Sequence, residues 1–255
     1  MEDFISQHVR LAYIDEPAQG ETRGDPILLI HGFGSTHAIN WVFTQWLKAL
    51  TESGRRVIAL DNRGHGRSEK LYDPNDYAIP KMAEDAFNLL AHLRIARADV
   101  MGYSMGARIA AFMARNDDAI IRKLVLAGTG ENLIEGSSIP HGVAEAMEAQ
   151  SIDELTDPVQ RMFRQFADAT KSDLKALAAC ARGARYKFGP AELAEIKMPV
   201  LIAVGTKDDI AGDPTRLGTL IPNAHMLAIP DRDHNRAVGD PAYKRGVLDF
   251  LSKDS

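Results

Sequence analysis

Ser104 stands between two glycines, in the segment Gly102–Gly106. Residues 97–101 just before it read as a short strand. The apolar residues that follow at helical spacing are Met105, Ile109, Phe112 and Met113. Glycines two positions either side of the serine permit a tight strand-to-helix turn, because they lack Cβ atoms that would collide there. This arrangement predicts that the hydroxyl of Ser104 is presented as a nucleophile.

Two further residues could activate this serine. A serine hydroxyl needs a base to accept its proton, and the base needs an acid to hold its tautomer. His234 follows the apolar run 226–229, and Asp208 follows the apolar run 200–204. The carboxyl ends of parallel strands meet at one edge of a sheet, so Ser104, Asp208 and His234 are predicted to meet there. Asp209 is an alternative to Asp208, because loop geometry decides which carboxylate points inward.

The segment His31–Gly34 comes directly after the apolar run 27–30. Attack by a serine on a carbonyl creates an oxyanion, which needs hydrogen-bond donors already in place. We expect the backbone N–H groups of Phe33 and Met105 to supply them. The alternative is a dinucleotide-binding loop, but that pattern requires a third glycine where His37 stands, and it does not account for Ser104.

Strands and helices alternate along most of the chain. Residues 4–6 and 9–14 are predicted to form an N-terminal antiparallel pair. Apolar runs predict further, fully buried strands at residues 27–30, 57–60, 124–127, 200–204 and 226–229. Amphipathic stripes between them predict covering helices, with Phe43, Trp46, Leu47 and Leu50 in the first, Met82, Ala83, Ala86, Leu90 and Leu93 in the second, and Tyr243, Val247, Phe250 and Leu251 in the last. The pattern is typical of an α/β fold with a mostly parallel central sheet flanked by helices.

One block, residues 130–190, contains no strand-like run and reads as consecutive helices. Asp157 and Pro158 predict the start of one helix, and Ser172 is predicted to cap the next. The apolar face of the first of these helices comprises Val159, Met162, Phe163 and Phe166. We interpret this block as a helical lid inserted into an α/β core of residues 1–129 and 191–255, although an enlarged crossover is the simpler alternative.

Composition excludes several classes of function. Of the 255 residues, 45% are hydrophobic and 25% charged, and the net charge is −5. That balance is ordinary for a globular protein and lacks the basic surface that nucleic acid requires. No stretch reads as a membrane span or a signal peptide, and Cys180 is the single cysteine, so we expect a cytoplasmic protein. No histidine pair has metal-binding spacing, so neither metal nor cofactor is predicted.

The chain resembles the serine α/β-hydrolase superfamily over nearly its whole length. The segments that carry the resemblance are His31–Gly34, Asp61–Ser68, Gly102–Gly106, Gly205–Asp208 and His234. It implies that Asp61–Ser68 is a structural loop beside the site, so Arg63 and His65 are not assigned to catalysis. The pattern departs from the family at Asn235-Arg236 after the histidine and at Ala107, where a second glycine is frequent.

The resemblance implies hydrolysis of a small-molecule acyl substrate, a carboxylic ester or related bond, through an acyl-enzyme. Carbon–carbon bond hydrolysis and perhydrolysis use the same three residues and are alternatives within the fold. A ligand-binding protein that retains the three residues is an alternative of another class. Basic residues outnumber acidic ones between residues 161 and 187, which suggests a sharper hypothesis. Arg161 or Arg164 could reach the pocket mouth and bind a substrate carboxylate.

Overall fold

The computed structural model describes residues 1–116, 119–136 and 139–253. Eight strands in this part of the chain form one sheet, in the order β1-β2-β4-β3-β5-β6-β7-β8. Their bounds are β1 Glu2–Ser6, β2 Val9–Glu16, β3 Ile27–Ile30, β4 Val57–Leu60, β5 Ala98–Tyr103, β6 Ile121–Ala127, β7 Val200–Gly205 and β8 Ala224–Ile229. Strand β2 pairs antiparallel with β1 and β4, and the remaining pairs are parallel.

Helices connect and cover the strands. Their bounds are α1 Trp46–Glu52, α2 Ile79–His92, α3 Met105–Asn116, α4 Asn132–Glu135, α5 Val143–Glu148, α6 Pro158–Ala169, α7 Leu174–Gly183, α8 Pro190–Ala194, α9 Thr215–Leu220, α10 His234–Ala237 and α11 Pro241–Ser252. A π-helical turn spans Ala38–Val42, and 3₁₀ turns span Pro74–Tyr77 and Ile152–Glu154.

The core lies on both faces of the sheet because alternate strand residues point to opposite sides. In β3, Leu28 and Ile30 join the apolar cluster that includes α2 and α3. Ile27 and Leu29 of the same strand join the cluster that includes α1 and α11. Burial on both faces explains the unbroken apolar runs of the inner strands, and the sheet confirms the predicted α/β fold. The prediction of a fully buried strand at 226–229 was wrong, because β8 lies at the edge of the sheet and Met226 is 48% exposed.

Helices α4 to α8 lie between β6 and β7, in the block for which the sequence predicts consecutive helices. Asp157 caps α6 as predicted, since its carboxylate accepts from the N–H of Gln160 at 2.9 Å. The predicted cap of the next helix was wrong by one residue. Asp173, not Ser172, accepts from the N–H of Ala176 at 3.0 Å.

A second correction concerns the first amphipathic helix. Phe43 is 74% exposed and does not belong to the buried stripe. The physical reason is a break in the helix, because Gln45 has a φ of 65° and α1 starts only at Trp46. Trp46 and Leu50 are buried as predicted.

No helix in residues 1–116, 119–136 and 139–253 is long and apolar enough to cross a membrane.

Candidate active site

Ser104 occupies the turn between β5 and α3. Its φ of 56° lies in the left-handed region, which a residue with a side chain adopts only when its surroundings hold it there. The N–H of Ser104 donates to the carbonyl of Ala127 at 2.8 Å, and its carbonyl accepts from the N–H of Ala107 at 3.0 Å. Hydrogen bonds on both sides therefore fix the strained backbone.

The two glycines of the turn are required by close backbone approach. A Cβ on Gly102 would lie 2.2 Å from the carbonyl oxygen of Gly106. A Cβ on Gly106 would lie 2.0 Å from the carbonyl oxygen of Ile30. Neither position has room for a side chain, so β5, α3 and the end of β3 meet only because both residues are glycine.

His234 links Ser104 to Asp208. Its Nε2 lies 3.0 Å from the Oγ of Ser104, and its Nδ1 lies 2.9 and 2.8 Å from the two carboxylate oxygens of Asp208. An ionised carboxylate only accepts, so the proton belongs on Nδ1 and the Nε2 lone pair faces the serine hydroxyl. The arrangement can accept the proton of Ser104 and stabilise the imidazolium that forms.

The carboxylate of Asp208 is oriented by its own loop. Its Oδ1 accepts from the N–H of Ile210 at 3.2 Å and from the N–H of Ala211 at 2.9 Å. Asp208 is buried, whereas Asp209 is exposed. Of the two carboxylates that the sequence left open, it is Asp208 that contacts His234.

Two neighbours hold the backbone of His234. Asp233 caps α10 and accepts from the N–H groups of Asn235 at 3.1 Å and Arg236 at 2.9 Å. The hydroxyl of Tyr103 donates to the carbonyl of His234 at 2.6 Å. Burial, reinforced by the charge of Asp208, raises the pKa of Tyr103 well above its usual value, so the hydroxyl keeps its proton and remains a donor.

Sequence reasoning missed this role of Tyr103. The available signal was its position directly before Ser104, at the end of an otherwise apolar strand that had no evident need for a hydroxyl.

The loop after β3 packs against the serine turn. A Cβ on Gly32 would lie 3.3 Å from the carbonyl oxygen of Tyr103 and 3.4 Å from the Cβ of Ser104. Phe33 therefore lies next to the serine, and Met105 begins helix α3 on its other side. In the described part of the chain, the N–H groups of Phe33 and Met105 have no protein acceptor. Both remain candidates for oxyanion donors.

The neutral ring of His31 holds this loop in place through two hydrogen bonds. Its Nε2 accepts from the N–H of Asn62 at 3.0 Å, which leaves the proton on Nδ1 to donate to the carbonyl of Gly32 at 2.8 Å. Burial lowers the pKa of His31 to about 4. Protonation of Nε2 would remove the hydrogen bond from Asn62, so the loop needs His31 uncharged.

Asp61 ties the loop to the neighbouring segment. Its carboxylate accepts from the N–H and from the Nδ1 of His37, both at 2.8 Å, and from the N–H of Arg67 at 2.9 Å. Burial by itself would raise the pKa of Asp61, but the hydrogen bond from His37 and the nearby His31 and His37 rings lower it to about 2. Asp61 is therefore a structural anion.

Arg63 and His65 are structural in this geometry, as the resemblance implies. Arg63 is buried and makes a two-pronged ion pair with Asp85 at 2.7 and 2.8 Å. The Nδ1 of His65 lies 2.9 Å from the carbonyl of Arg63, and burial lowers the pKa of His65 to about 3. Neither side chain lines the cavity at Ser104.

A cavity of about 230 Å³ opens beside Ser104 and His234. Apart from these two, its lining residues are Gly32, Phe33, Ser35, Ile39, Asn40, Thr44, Tyr103, Met162, Phe163, Phe166, Asn235 and Val238. Helix α6 supplies the apolar residues Met162, Phe163 and Phe166. No Asp, Glu, Lys or Arg is among the lining residues. The site can therefore hold a small, mostly apolar and uncharged group next to the nucleophile.

Comparison with known proteins identifies the family. Residues 25–176 match the family model described as the alpha/beta hydrolase fold. The chain belongs to the α/β-hydrolase family.

Individual relatives agree with this assignment. The hydrolase is 32% identical over 233 residues to the dihydrolipoyllysine-residue acetyltransferase component of an acetoin cleaving system from Pseudomonas putida, covering 84% of this chain and 60% of that protein. It is 27% identical over 263 residues to a putative carbamate hydrolase from Variovorax paradoxus, covering 92% of this chain and 95% of the relative.

A solved structure, the enol-lactonase from Burkholderia xenovorans, superposes with a TM-score of 0.79 and 24% identity over 99% of this chain and 100% of that one. This similarity shows the fold. The family match and the hydrolase names among the relatives support an enzyme of the hydrolase class.

The hypothesis that Arg161 or Arg164 reaches the pocket of this hydrolase is wrong. The guanidinium of Arg161 donates to the carbonyls of Ile152 and Leu155 at 2.8 and 3.0 Å. Arg164 donates to the carbonyls of Ala146 and Ala149, and it pairs with Asp168 at 3.0 Å on the same helix. Both arginines satisfy backbone carbonyls within the helical block, which is why neither faces the cavity.

The apolar face predicted for α6 is correct at Met162, Phe163 and Phe166, which line the cavity. Val159, at the start of the helix, is 37% exposed and lies outside it. Among the residues that the structure describes, no cluster of His, Cys, Asp and Glu has the size and spacing to hold a metal ion.

Proposed function

We propose that this α/β hydrolase cleaves a carboxylic ester or a related acyl bond through an acyl-enzyme on Ser104. The observation that carries the proposal is the continuous hydrogen-bond chain from the Oγ of Ser104 through His234 to Asp208, with contacts of 3.0 and 2.8 Å. Ser104 and His234, at one end of these hydrogen bonds, line a cavity that admits a small uncharged acyl group.

In the acylation step the Oγ of Ser104 attacks the carbonyl carbon while the Nε2 of His234 takes the hydroxyl proton. Asp208 stabilises the imidazolium. The negative charge that develops on the carbonyl oxygen is bound by the N–H groups of Phe33 and Met105. When the tetrahedral intermediate collapses, the C–O bond to the leaving group breaks, and His234 gives its proton to the leaving alkoxide.

In the deacylation step a water molecule takes the place of the leaving group. The Nε2 of His234 accepts a proton from this water as its oxygen attacks the acyl carbon. The second tetrahedral intermediate expels the Oγ of Ser104, which recovers its proton from His234. The products are a carboxylic acid and the free enzyme, and the overall reaction consumes one water.

The helical block 130–190 acts as a lid on a core of residues 1–129 and 191–255 in this proposal. Helix α6 contributes the apolar wall of the cavity. The ring of Phe163 packs edge-on against that of Phe33, with centroids 5.9 Å apart. The hydroxyl proton of Thr170 is shared between the carbonyl of Gly34 at 3.3 Å and that of Ala167 at 3.1 Å. A cover tied to the oxyanion loop would exclude bulk water from the reacting carbonyl.

The assay is hydrolysis of p-nitrophenyl acetate and butyrate by the wild type and by Ser104→Ala. We expect turnover by the wild type and a fall in kcat of at least about 10³-fold in the variant, because the nucleophile is lost. The matched control is Ser252→Ala, at the exposed end of α11, which should retain wild-type activity.

Absence of turnover by the folded wild type would overturn the proposal and favour a ligand-binding protein that retains the three residues. Turnover of a vinylogous diketone with no turnover of esters would instead favour carbon–carbon bond hydrolysis.

A further inference from the structure

The cavity beside Ser104 has one apolar wall and one polar, uncharged wall. Helix α6 provides an apolar wall of Met162, Phe163 and Phe166. The loop after β3 provides Ser35, Asn40 and Thr44, which are polar and uncharged. Ser35 and Asn40 are only 4% and 5% exposed, so their polar atoms are withdrawn from bulk water. Buried polar groups of this kind normally have hydrogen-bond partners.

The side-chain amide of Asn40 is oriented by the protein. The N–H of Gly32 donates to its Oδ1 at 3.3 Å, so the oxygen is the end that faces the loop. The amide nitrogen, Nδ2, carries two donors, and it has no acceptor among residues 1–116, 119–136 and 139–253. Since Asn40 lines the cavity, these donors are free for a bound molecule.

Ser35 also lines the cavity, but its hydroxyl does not open into it. Its Oγ is buried and has no hydrogen-bond partner in the part of the chain that the structure describes. Thr44 differs, because its hydroxyl donates to the backbone carbonyl of Asn40 and stabilises the π-helical turn. The turn itself is closed by the N–H of Phe43 donating to the carbonyl of Ala38, a geometry that occurs frequently at functional sites.

The hydrogen bond from the N–H of Gly32 does not by itself explain why residue 40 is an asparagine. An aspartate oxygen at this position could also accept from that N–H, although its charge would be buried without a cation among the lining residues. Only an amide also offers donors to the cavity. A donor that faces a mostly apolar cavity favours a ligand atom that completes its hydrogen bond over one that leaves it unpaired.

We propose that the Nδ2 of Asn40 forms an acyl subsite that binds a neutral oxygen on the substrate's acyl chain. The oxygen belongs to an ether, a hydroxyl or a carbonyl group. A carboxylate does not fit, because no Lys or Arg lines the cavity to compensate for its desolvation. The subsite rests on the proposed function and narrows its substrates to small, neutral, oxygen-substituted esters or lactones.

The test compares two esters of nearly the same shape, p-nitrophenyl methoxyacetate and p-nitrophenyl butyrate. They differ by an ether oxygen in place of a methylene. The ratio of their kcat/KM values is measured for the wild type and for Asn40→Asp, which keeps the acceptor for Gly32 and removes the donors. Because the same two esters are compared in each enzyme, their intrinsic reactivities cancel. We expect the ratio to fall about tenfold in Asn40→Asp.

The matched control is Asn88→Asp, since Asn88 lies on α2 and donates to the hydroxyl of Ser6, outside the cavity. Its ratio should equal that of the wild type. Ser35→Ala should also leave the ratio unchanged, because the hydroxyl of Ser35 is buried away from the cavity surface. If circular dichroism shows that Asn40→Asp does not fold, Asn40→Ala gives the same comparison, since loss of the Gly32 contact affects both esters equally.

An unchanged ratio in a folded Asn40 variant that hydrolyses both esters would overturn the subsite and leave the proposed function intact. Failure of the wild type to hydrolyse either ester would overturn the proposed function and the subsite with it.

Discussion

The neutral ring of His31 makes the fold sensitive to mild acid. An unfolded histidine has a pKa of about 6.5, whereas burial lowers the pKa of His31 in the folded protein to about 4. Between these values the unfolded chain binds more protons than the folded one, so the free energy of unfolding decreases as the pH falls. The stability that the neutral ring of His31 contributes is fully present above pH 6.5 and is lost toward pH 4.

The size of the effect follows from the two pKa values. Between pH 6.5 and pH 4.5 the unfolded His31 binds most of a proton, while the folded ring stays largely neutral, which corresponds to about 2 kcal/mol. His65, whose pKa burial lowers to about 3, adds a loss of similar size. Carboxylates begin to protonate near the lower end of this window, and their contribution cancels when a histidine variant is compared with the wild type over the same pH range.

Urea unfolding followed by circular dichroism at pH 6.5 and 4.5 measures this loss. The variant His31→Gln keeps an oxygen that can accept from the N–H of Asn62 but has no group to protonate. We expect its loss between the two pH values to be about 2 kcal/mol smaller than that of the wild type. The control His225→Gln removes an exposed ring on β8 and should leave the loss unchanged. An equal loss in His31→Gln and the wild type would refute the reasoning.

Two further predictions concern the acid of the site and the charge of its substrate. Asp208→Asn should lower kcat for ester hydrolysis by up to about 10⁴-fold, because the amide favours the wrong tautomer of His234. Asp209→Asn should have little effect. The reverse pattern would mean that Asp209 is the acid. The p-nitrophenyl ester of pentanoic acid should be hydrolysed with a higher kcat/KM than the mono-p-nitrophenyl ester of succinic acid, because no charged residue lines the cavity. Arg161→Ala should leave this preference in place. A preference for the charged ester would contradict the uncharged cavity.

Much of the fold could be predicted because its signals are local. Each apolar run corresponds to a strand, and all of these strands except the edge strand β8 are buried. The glycines around Ser104 reflect a close backbone approach, since a Cβ at Gly102 or Gly106 would lie about 2 Å from a carbonyl oxygen. The order of Ser104, Asp208 and His234 along the chain could likewise be read from residues that directly follow strands. Asp208 could not be separated from Asp209, since that choice depends on how the N–H groups of Ile210 and Ala211 turn the loop.

The features that could not be predicted from the sequence depend on how helices and side chains are oriented in the fold. The rotation of α6 about its axis decides whether Arg164 meets substrate or the carbonyls of Ala146 and Ala149, and a sequence pattern does not fix that rotation against neighbouring helices. Asn40 lies in a π-helical turn that has no apolar periodicity to reveal it. Its place in the cavity lining and the orientation of its amide by Gly32 are seen only in the structure.

The most direct test of the central claim is covalent labelling of the nucleophile. The wild type is incubated with a fluorophosphonate, which phosphonylates an activated serine, and the adduct is located by intact-protein and peptide mass spectrometry. We predict one adduct per chain, on Ser104, because His234 accepts its proton at 3.0 Å, and we predict no adduct on Ser104→Ala. An adduct on another serine, or labelling that persists in Ser104→Ala, would contradict the account.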